Sequence, residues 1–318
     1  MRATDLDYDL PPELIAQRPA ERRDGSRLLV YDRRSRDVRQ RSFAELPEEL
    51  GGYLTVVNDT RVVPARLALR RETGGEVEVL LVERLDGDRW EALARPSRRL
   101  RAGERLLGRD AASEVELVEP LGAGRWVVRL AGEPDGELPL PPYVHETPAD
   151  PERYQTVYAR DPGSAAAPTA GLHFTPELLA DLDHETVTLH VGLDTFRPLT
   201  TDTLEEHAIH GERYRVEQEA WTRIEAAALV LAVGTTTTRV LETLVRGGPL
   251  EGRTDLFITP GFAFRRVDAL LTNFHLPRTT LLALVMAFAG VEATRELYTL
   301  AIRERYRFYS FGDAMLVL

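Results

Sequence analysis

Short aliphatic and β-branched runs, each bounded by Gly, Asp or Pro, predict strands at Glu76 to Val82, Arg125 to Leu130, Thr186 to Val191, Leu229 to Val233 and Met315 to Leu318. Apolar residues at helical spacing predict helices at Pro176 to Leu182, Glu217 to Ala228, Thr236 to Val245, Thr279 to Ala289 and Glu292 to Arg305. The two kinds are segregated. Between about Arg61 and Leu140 short strands alternate with Gly-rich turns and no helix pattern intervenes, as in a small barrel or sandwich. After about Tyr154 strands and helices alternate in the α/β manner. A Pro-rich joint, LPLPP at Leu138 to Pro142, separates the regimes. The longest apolar run, Leu281 to Gly290, is far short of the roughly 20 residues of a membrane span and reads as a buried helix, so no membrane partner is expected.

Composition narrows the chemistry. With 318 residues, 43% of them hydrophobic, the chain can bury one large or two ordinary cores. It has no cysteine, which removes a catalytic thiolate, a Cys-ligated zinc and a Cys-ligated iron–sulfur cluster, and with the last any radical chemistry such a cluster starts. It also has no lysine, so all 40 basic residues are arginine, and neither a Walker A lysine nor a Schiff base is available. The first ten residues lack an apolar segment and carry Asp5, Asp7 and Asp9, so a cytoplasmic protein is expected. The net charge of −11 argues against a polyanion partner, but the charge is uneven. Nine arginines face four acids from Arg18 to Arg41, and Arg95, Arg98, Arg99, Arg101 and Arg105 cluster around Glu104 alone. One face can therefore meet a polyanion while the other stays solvated.

Several segments have the character of ligand loops. SAAAPTAGLHFTP, from Ser164 to Pro176, leaves room at Gly171 for a ligand, and Thr175 caps a helix with Pro176 at its first position, so an anion can dock beside His173; the alternative is an ordinary loop and cap. LHVGLDTFRP carries His190, Asp194 and Arg197 around Gly192 at a strand's C-terminal end, where open α/β sheets bind ligands. LAVGTTTTR runs through Gly234 into Thr235 and Thr236, whose hydroxyls and amides can hold a carboxylate or ribose, or can simply start a helix. LTNFHLP supplies Asn273 and His275, and YRFYSFGDAM interleaves aromatics and arginine before Asp313. VVNDTRVVPARL reads as a turn flanked by Arg61 and Arg66. The seven histidines show no metal-ligand spacing, and neither GxSxG nor GxGxxG follows a strand, so no metal is indicated.

These strings in this order resemble the S-adenosylmethionine:tRNA ribosyltransferase-isomerases of queuosine biosynthesis, over nearly the whole chain. LPPELIAQRP, RRDGSRLLV, PPYVH, RYQTVYA, EEHAIHGERY and TDLFITPGFAFRRVDALLTNFHLP extend the match. The resemblance implies a discontinuous α/β main domain, residues 1–62 and 150–318, catalytic, with an inserted small antiparallel β-barrel at 63–149. It also implies transfer and isomerisation of the ribosyl part of S-adenosylmethionine, a co-substrate, onto 7-aminomethyl-7-deazaguanine at the wobble position of a tRNA with a GUN-type anticodon. Epoxyqueuosine-tRNA, adenine and methionine result, without a prosthetic group. The sulfonium acidifies the ribose 5′ carbon, so the reaction needs a base, and neutral histidine fits cytoplasmic pH. His173 and His190 come first, His275 third, with Asp268 or Asp313 orienting a histidine or holding the aminomethyl group. Thr169, Gly171, Phe174, Thr175, Gly192, Gly234, Thr235, Thr236 and Asn273 are the expected S-adenosylmethionine contacts. Arg61, Arg66, Arg98, Arg99 and Arg101 are the expected tRNA contacts, and a monomer is expected. The chain departs from the family pattern near 181–186 and 224–229, where it is shorter, at Asp194, Thr237 and Thr238, and at Arg98, Arg99 and Arg265, where lysine is usual. The rival readings are a non-catalytic tRNA-binding protein and an S-adenosylmethionine-dependent tRNA methyltransferase.

Overall fold

The computed structural model describes residues 1–108, 114–146, 148–192, 199, 201–207, 209 and 211–318, so Asp194, Arg197 and His210 lie outside the described residues. The chain divides into two compact units, one of residues 1–60, 141–161 and 168–318, the other of residues 61–140 and 162–167.

The first unit is built on nine strands: Arg27–Tyr31 (β1), Val38–Ser42 (β2), Tyr53–Asn58 (β3), His184–Leu189 (β12), Glu212–Arg215 (β13), Leu229–Val233 (β14), Glu251–Thr254 (β15), Ala269–Asn273 (β16) and Ala314–Val317 (β17). Their order across the sheet is β15-β13-β12-β3-β14-β16-β17-β1-β2. β12, β3, β14 and β16 run parallel, and β17 and β1 run against them. The central strands are apolar on both faces, as a covered parallel sheet requires. On one face Leu28, Val30, Val57, Leu231, Val233, Leu271 and Leu316 pack with Phe43, Leu46, Phe174, Leu178 and Leu179, which come from the short helices Leu46–Glu49 (α1) and Pro176–Ala180 (α2) and the turns beside them. The other helices are Gln218–Ala226 (α3), Thr235–Leu244 (α4), Thr280–Ala289 (α5) and Val291–Arg303 (α6). α4 packs on β3, β12, β14 and β16. α5 is apolar almost all round and accordingly buried. No helix among the described residues is long and apolar enough to cross a membrane.

The second unit holds a closed antiparallel barrel in the order β10-β7-β6-β5-β8-β9, formed by Arg66–Arg71 (β5), Glu76–Asp86 (β6), Arg89–Arg95 (β7), Arg105–Gly108 (β8), Glu114–Gly122 (β9) and Arg125–Leu130 (β10). Strict alternation builds it. Val77, Val79 and Leu81 on β6 and Trp90, Ala92 and Ala94 on β7 point inward, and the residues between them are half-buried or exposed. Closure leaves no unpaired strand edge. The β9–β10 hairpin turns on Gly122, Ala123 and Gly124, all with positive φ. The chain enters this unit in Thr60–Val62 (β4) and returns to it in Asp161–Ser164 (β11), and these two strands form a two-stranded sheet.

Candidate active site

The parallel strands deliver Asn58, Leu189, Val233 and Asn273 to one edge of the sheet. Since β17 and β1 run the other way, their starting ends bring Asp313 and Ser26 to that same edge, with Ala314 registered opposite both Asn273 and Leu28. Residues distant in sequence are thus assembled where α/β sheets bind ligands.

At the end of β3, three consecutive side chains engage three consecutive residues of β12 and its exit. Asn58 accepts the Leu189 amide through Oδ1 and donates Nδ2 to the Leu189 carbonyl, both at 3.0 Å, so it acts as one more rung of the ladder. Asp59 Oδ1 accepts from Thr188 Oγ1 at 2.6 Å, and its other oxygen pairs with Arg160 Nη2 at 2.7 Å. Thr60 Oγ1 lies 2.9 Å from Nδ1 of His190. Asn58 also donates to Thr236 Oγ1 at 3.3 Å, which ties the cluster to the start of α4. Asn58, Asp59 and Thr60 are buried, and His190 is half-buried.

His173 is enclosed, with Phe43 tilted against its ring at 4.9 Å. Nδ1 contacts Ser26 Oγ at 2.9 Å, and Nε2 lies 3.2 Å from Asn273 Nδ2. Because Asn273 Nδ2 also faces the Asp313 carbonyl, that nitrogen is the donor, Nε2 is the acceptor, and Nδ1 carries the hydrogen. Burial, then the cations Arg307 and Arg23, push its pKa down to about 3. Both ring nitrogens are engaged and burial makes the ring a weak proton acceptor, which suits a fixed hydrogen-bonding group.

His275 is likewise pushed down to about 3 by burial. Its Nε2 contacts Thr272 Oγ1 at 2.7 Å, its amide donates to Tyr298 Oη at 3.0 Å, and its carbonyl accepts from Tyr8 Oη at 2.5 Å. Asp313 accepts the amides of Arg27 and Arg307 and lies 3.6 Å from the Arg307 guanidinium, so it fixes the chain around the start of β17. Asp268 does not join the group. It precedes β16 and accepts the Val230 amide at the opposite edge, where Arg33 reaches its carbonyl.

The loops expected to hold the co-substrate divide. Thr169 to Gly171 form a 3-10 turn, and a Cβ at Gly171 would collide with the Tyr158 hydroxyl, so glycine there serves packing. Phe174 is sealed in the core and Thr175 caps α2 by accepting the Leu178 amide, so packing and capping account for both side chains. α2 has only five residues, too few for the anion-attracting end read from its cap. Gly234 is different. It starts the ten-residue α4 at φ 89° with no side-chain cap, while Thr237 and Thr238 turn their hydroxyls back to the Val233 and Gly234 carbonyls. The Gly192 amide donates to Glu212 Oε1 at 2.9 Å, and Glu212 pairs in turn with buried Arg239, two groups inside EEHAIHGERY and LAVGTTTTR that are not among the expected site residues. In the barrel unit, Arg98, Arg99 and Arg101 are exposed without an ion pair among the described residues, whereas Arg66 pairs with Glu78 at 3.2 Å.

Comparison with known proteins matches the chain over nearly its full length. The model of the queuosine biosynthesis protein family matches residues 3–317. A relative from Rubrobacter xylanophilus named S-adenosylmethionine:tRNA ribosyltransferase-isomerase is 56% identical over all of this chain and 98% of its own. One of the same name from Carboxydothermus hydrogenoformans is 50% identical with both chains fully covered. The crystal structure of an S-adenosylmethionine tRNA ribosyltransferase from Thermotoga maritima is similar at TM-score 0.57 and 38% identity, covering 99% of this chain and all of that one. The chain belongs to the queuosine biosynthesis protein family.

Proposed function

We propose that this chain is an S-adenosylmethionine:tRNA ribosyltransferase-isomerase, a reading carried by its full-length identity to relatives of that name. In this reading the ribosyl part of S-adenosylmethionine is transferred and isomerised onto 7-aminomethyl-7-deazaguanine at the wobble position of a tRNA with a GUN-type anticodon. Epoxyqueuosine-tRNA forms, and adenine and methionine leave. The α/β unit is the catalytic domain, residues 1–62 and 150–318, and the inserted barrel, 63–149, carries the RNA-facing arginines. His190 is the base that takes the proton from the carbon beside the sulfonium, because burial makes His173 and His275 weak proton acceptors. The start of α4 at Gly234, Thr235 and Thr236 offers amides and hydroxyls to the carboxylate or ribose, with Gly192 and Asn273 alongside. Arg98, Arg99 and Arg101 contact phosphates, as do Arg61 and Arg66. The protein acts as a monomer in the cytoplasm, without a metal or prosthetic group. Mass analysis of tRNA bearing the aminomethyl base, after incubation with S-adenosylmethionine, tests this reading. A ribosyl-derived increment with one adenine released supports it. A methyl increment, no change, or complete loss of activity with a chelator refutes it.

A further inference from the structure

The segment Asn58, Asp59 and Thr60 reads as a turn in sequence, yet each of its side chains reaches across to β12 or its exit. The partners lie more than a hundred positions later, in close order: Asp59 the Thr188 hydroxyl, Asn58 both backbone groups of Leu189, Thr60 the His190 imidazole. Ordinary parallel pairing already joins β3 to β12 through Val187 opposite Asn58. The side-chain bonds extend that pairing past the last registered residues to His190, whose amide donates to the Arg213 carbonyl of β13 at 3.0 Å. Asn58 also fixes Thr60 from behind, since its Oδ1 accepts the Thr60 amide at 3.2 Å.

We infer that Asn58, Asp59 and Thr60 form a bracket whose function is to position His190, with Thr60 holding the imidazole in the form protonated on Nδ1. The inference rests on the reading of His190 as the base. The tautomer follows from the hydroxyl's two neighbours. The Asp161 carbonyl, 3.5 Å from Thr60 Oγ1, can only accept, so it draws the hydroxyl hydrogen and leaves the oxygen to accept from His190. With Nδ1 donating, Nε2 carries the lone pair that takes the substrate proton. A hydrogen bond to one ring nitrogen setting the chemistry of the other is a general device of histidine. Thr60 is a positioning residue, because its hydroxyl acts through the imidazole.

Thr60→Val keeps the shape and removes the hydroxyl, while Thr60→Ser keeps the hydroxyl. In the full-length protein, Thr60→Val is expected to lower kcat by about 10- to 100-fold with KM for S-adenosylmethionine unchanged, and Thr60→Ser to restore most of the rate. Nitrogen-15 NMR of labelled histidine, with the His190 resonance assigned by its loss in His190→Ala, reads the tautomer directly. The parent is expected to show a protonated Nδ1, and Thr60→Val a mixture of both forms. A parent-like kcat or a parent-like tautomer in Thr60→Val overturns the bracket, as does a Thr60→Ser protein that folds but stays as slow as the valine variant. If His190→Ala retains the parent rate, the base reading falls and the bracket's catalytic purpose falls with it. If His190→Ala is inactive and Thr60→Val is normal, only the bracket fails.

Discussion

His173 is buried and His275 half-buried, both neutral, and this has a measurable cost in acid. Each has a pKa near 3 in the folded chain against 6.5 when exposed, so below pH 6.5 the unfolded state binds more protons. Stability is therefore expected to be insensitive to these groups above about pH 7 and to fall as the pH drops from 6.5 toward 3, by up to about 1.4 kcal/mol per pH unit for each histidine. Urea unfolding at several pH values checks this, and His173→Gln should reduce the slope by about one proton. An unchanged slope would mean that His173 titrates normally. The same geometry predicts different outcomes for substitutions at the histidines. His190→Ala should lower kcat by roughly 100-fold or more with the fold intact, as loss of a general base does. His173→Ala should act first on stability, because it unties Ser26 from Asn273 and empties a buried site. Equal melting temperatures for parent and His173→Ala would contradict that division.

At the scale of elements, the start of α4 depends on Gly234. A Cβ there would come no nearer than 3.7 Å to Ala170, an ordinary van der Waals distance, so space is not the obstacle. The backbone is, since φ 89° and ψ 157° lie where only glycine is at ease. Gly234→Ala should cost about 1–3 kcal/mol in denaturant unfolding and raise KM for S-adenosylmethionine, and unchanged values of both would detach this helix end from the co-substrate. Periodicity made much of the fold legible: the predicted strands Arg125 to Leu130 and Leu229 to Val233 match β10 and β14 end for end, and Thr175 caps α2 as expected. β2 was not legible, since it is a polar edge, VRQRS, that lacks an apolar run. The site was legible as a set of loops but not as an arrangement. Asp268 and Asn273 are close in sequence, yet the five residues of β16 carry them about 16 Å apart to opposite sheet edges. Asn58 to Thr60 passed for a turn because the partners that give these residues their role lie on β12 and just beyond it, out of reach of local pattern.

For the whole molecule, a net charge of −11 and a tRNA substrate are compatible because binding depends on arginines that neutralise individual phosphates, not on the total. Many arginines here are committed to carboxylates, as Arg71 is to Glu104 and Arg125 to Glu91, whereas exposed Arg98, Arg99 and Arg101 have no such partner among the described residues. Replacing these three with alanine should weaken tRNA binding and flatten its salt dependence by roughly one unit of slope for each phosphate no longer neutralised, leaving S-adenosylmethionine affinity unchanged. Parent-like tRNA binding with the same slope would move the interface to Arg61, Arg66 and the segment from Arg303 to Tyr309. The central claim is that the ribosyl part of S-adenosylmethionine is the group transferred. Two parallel incubations with tRNA bearing the aminomethyl base, one with label in the ribose and one with label in the methyl group, test it most directly. Ribose label retained in the tRNA and methyl label recovered in free methionine is the expected result; methyl label in the tRNA, or label in neither, would contradict the account.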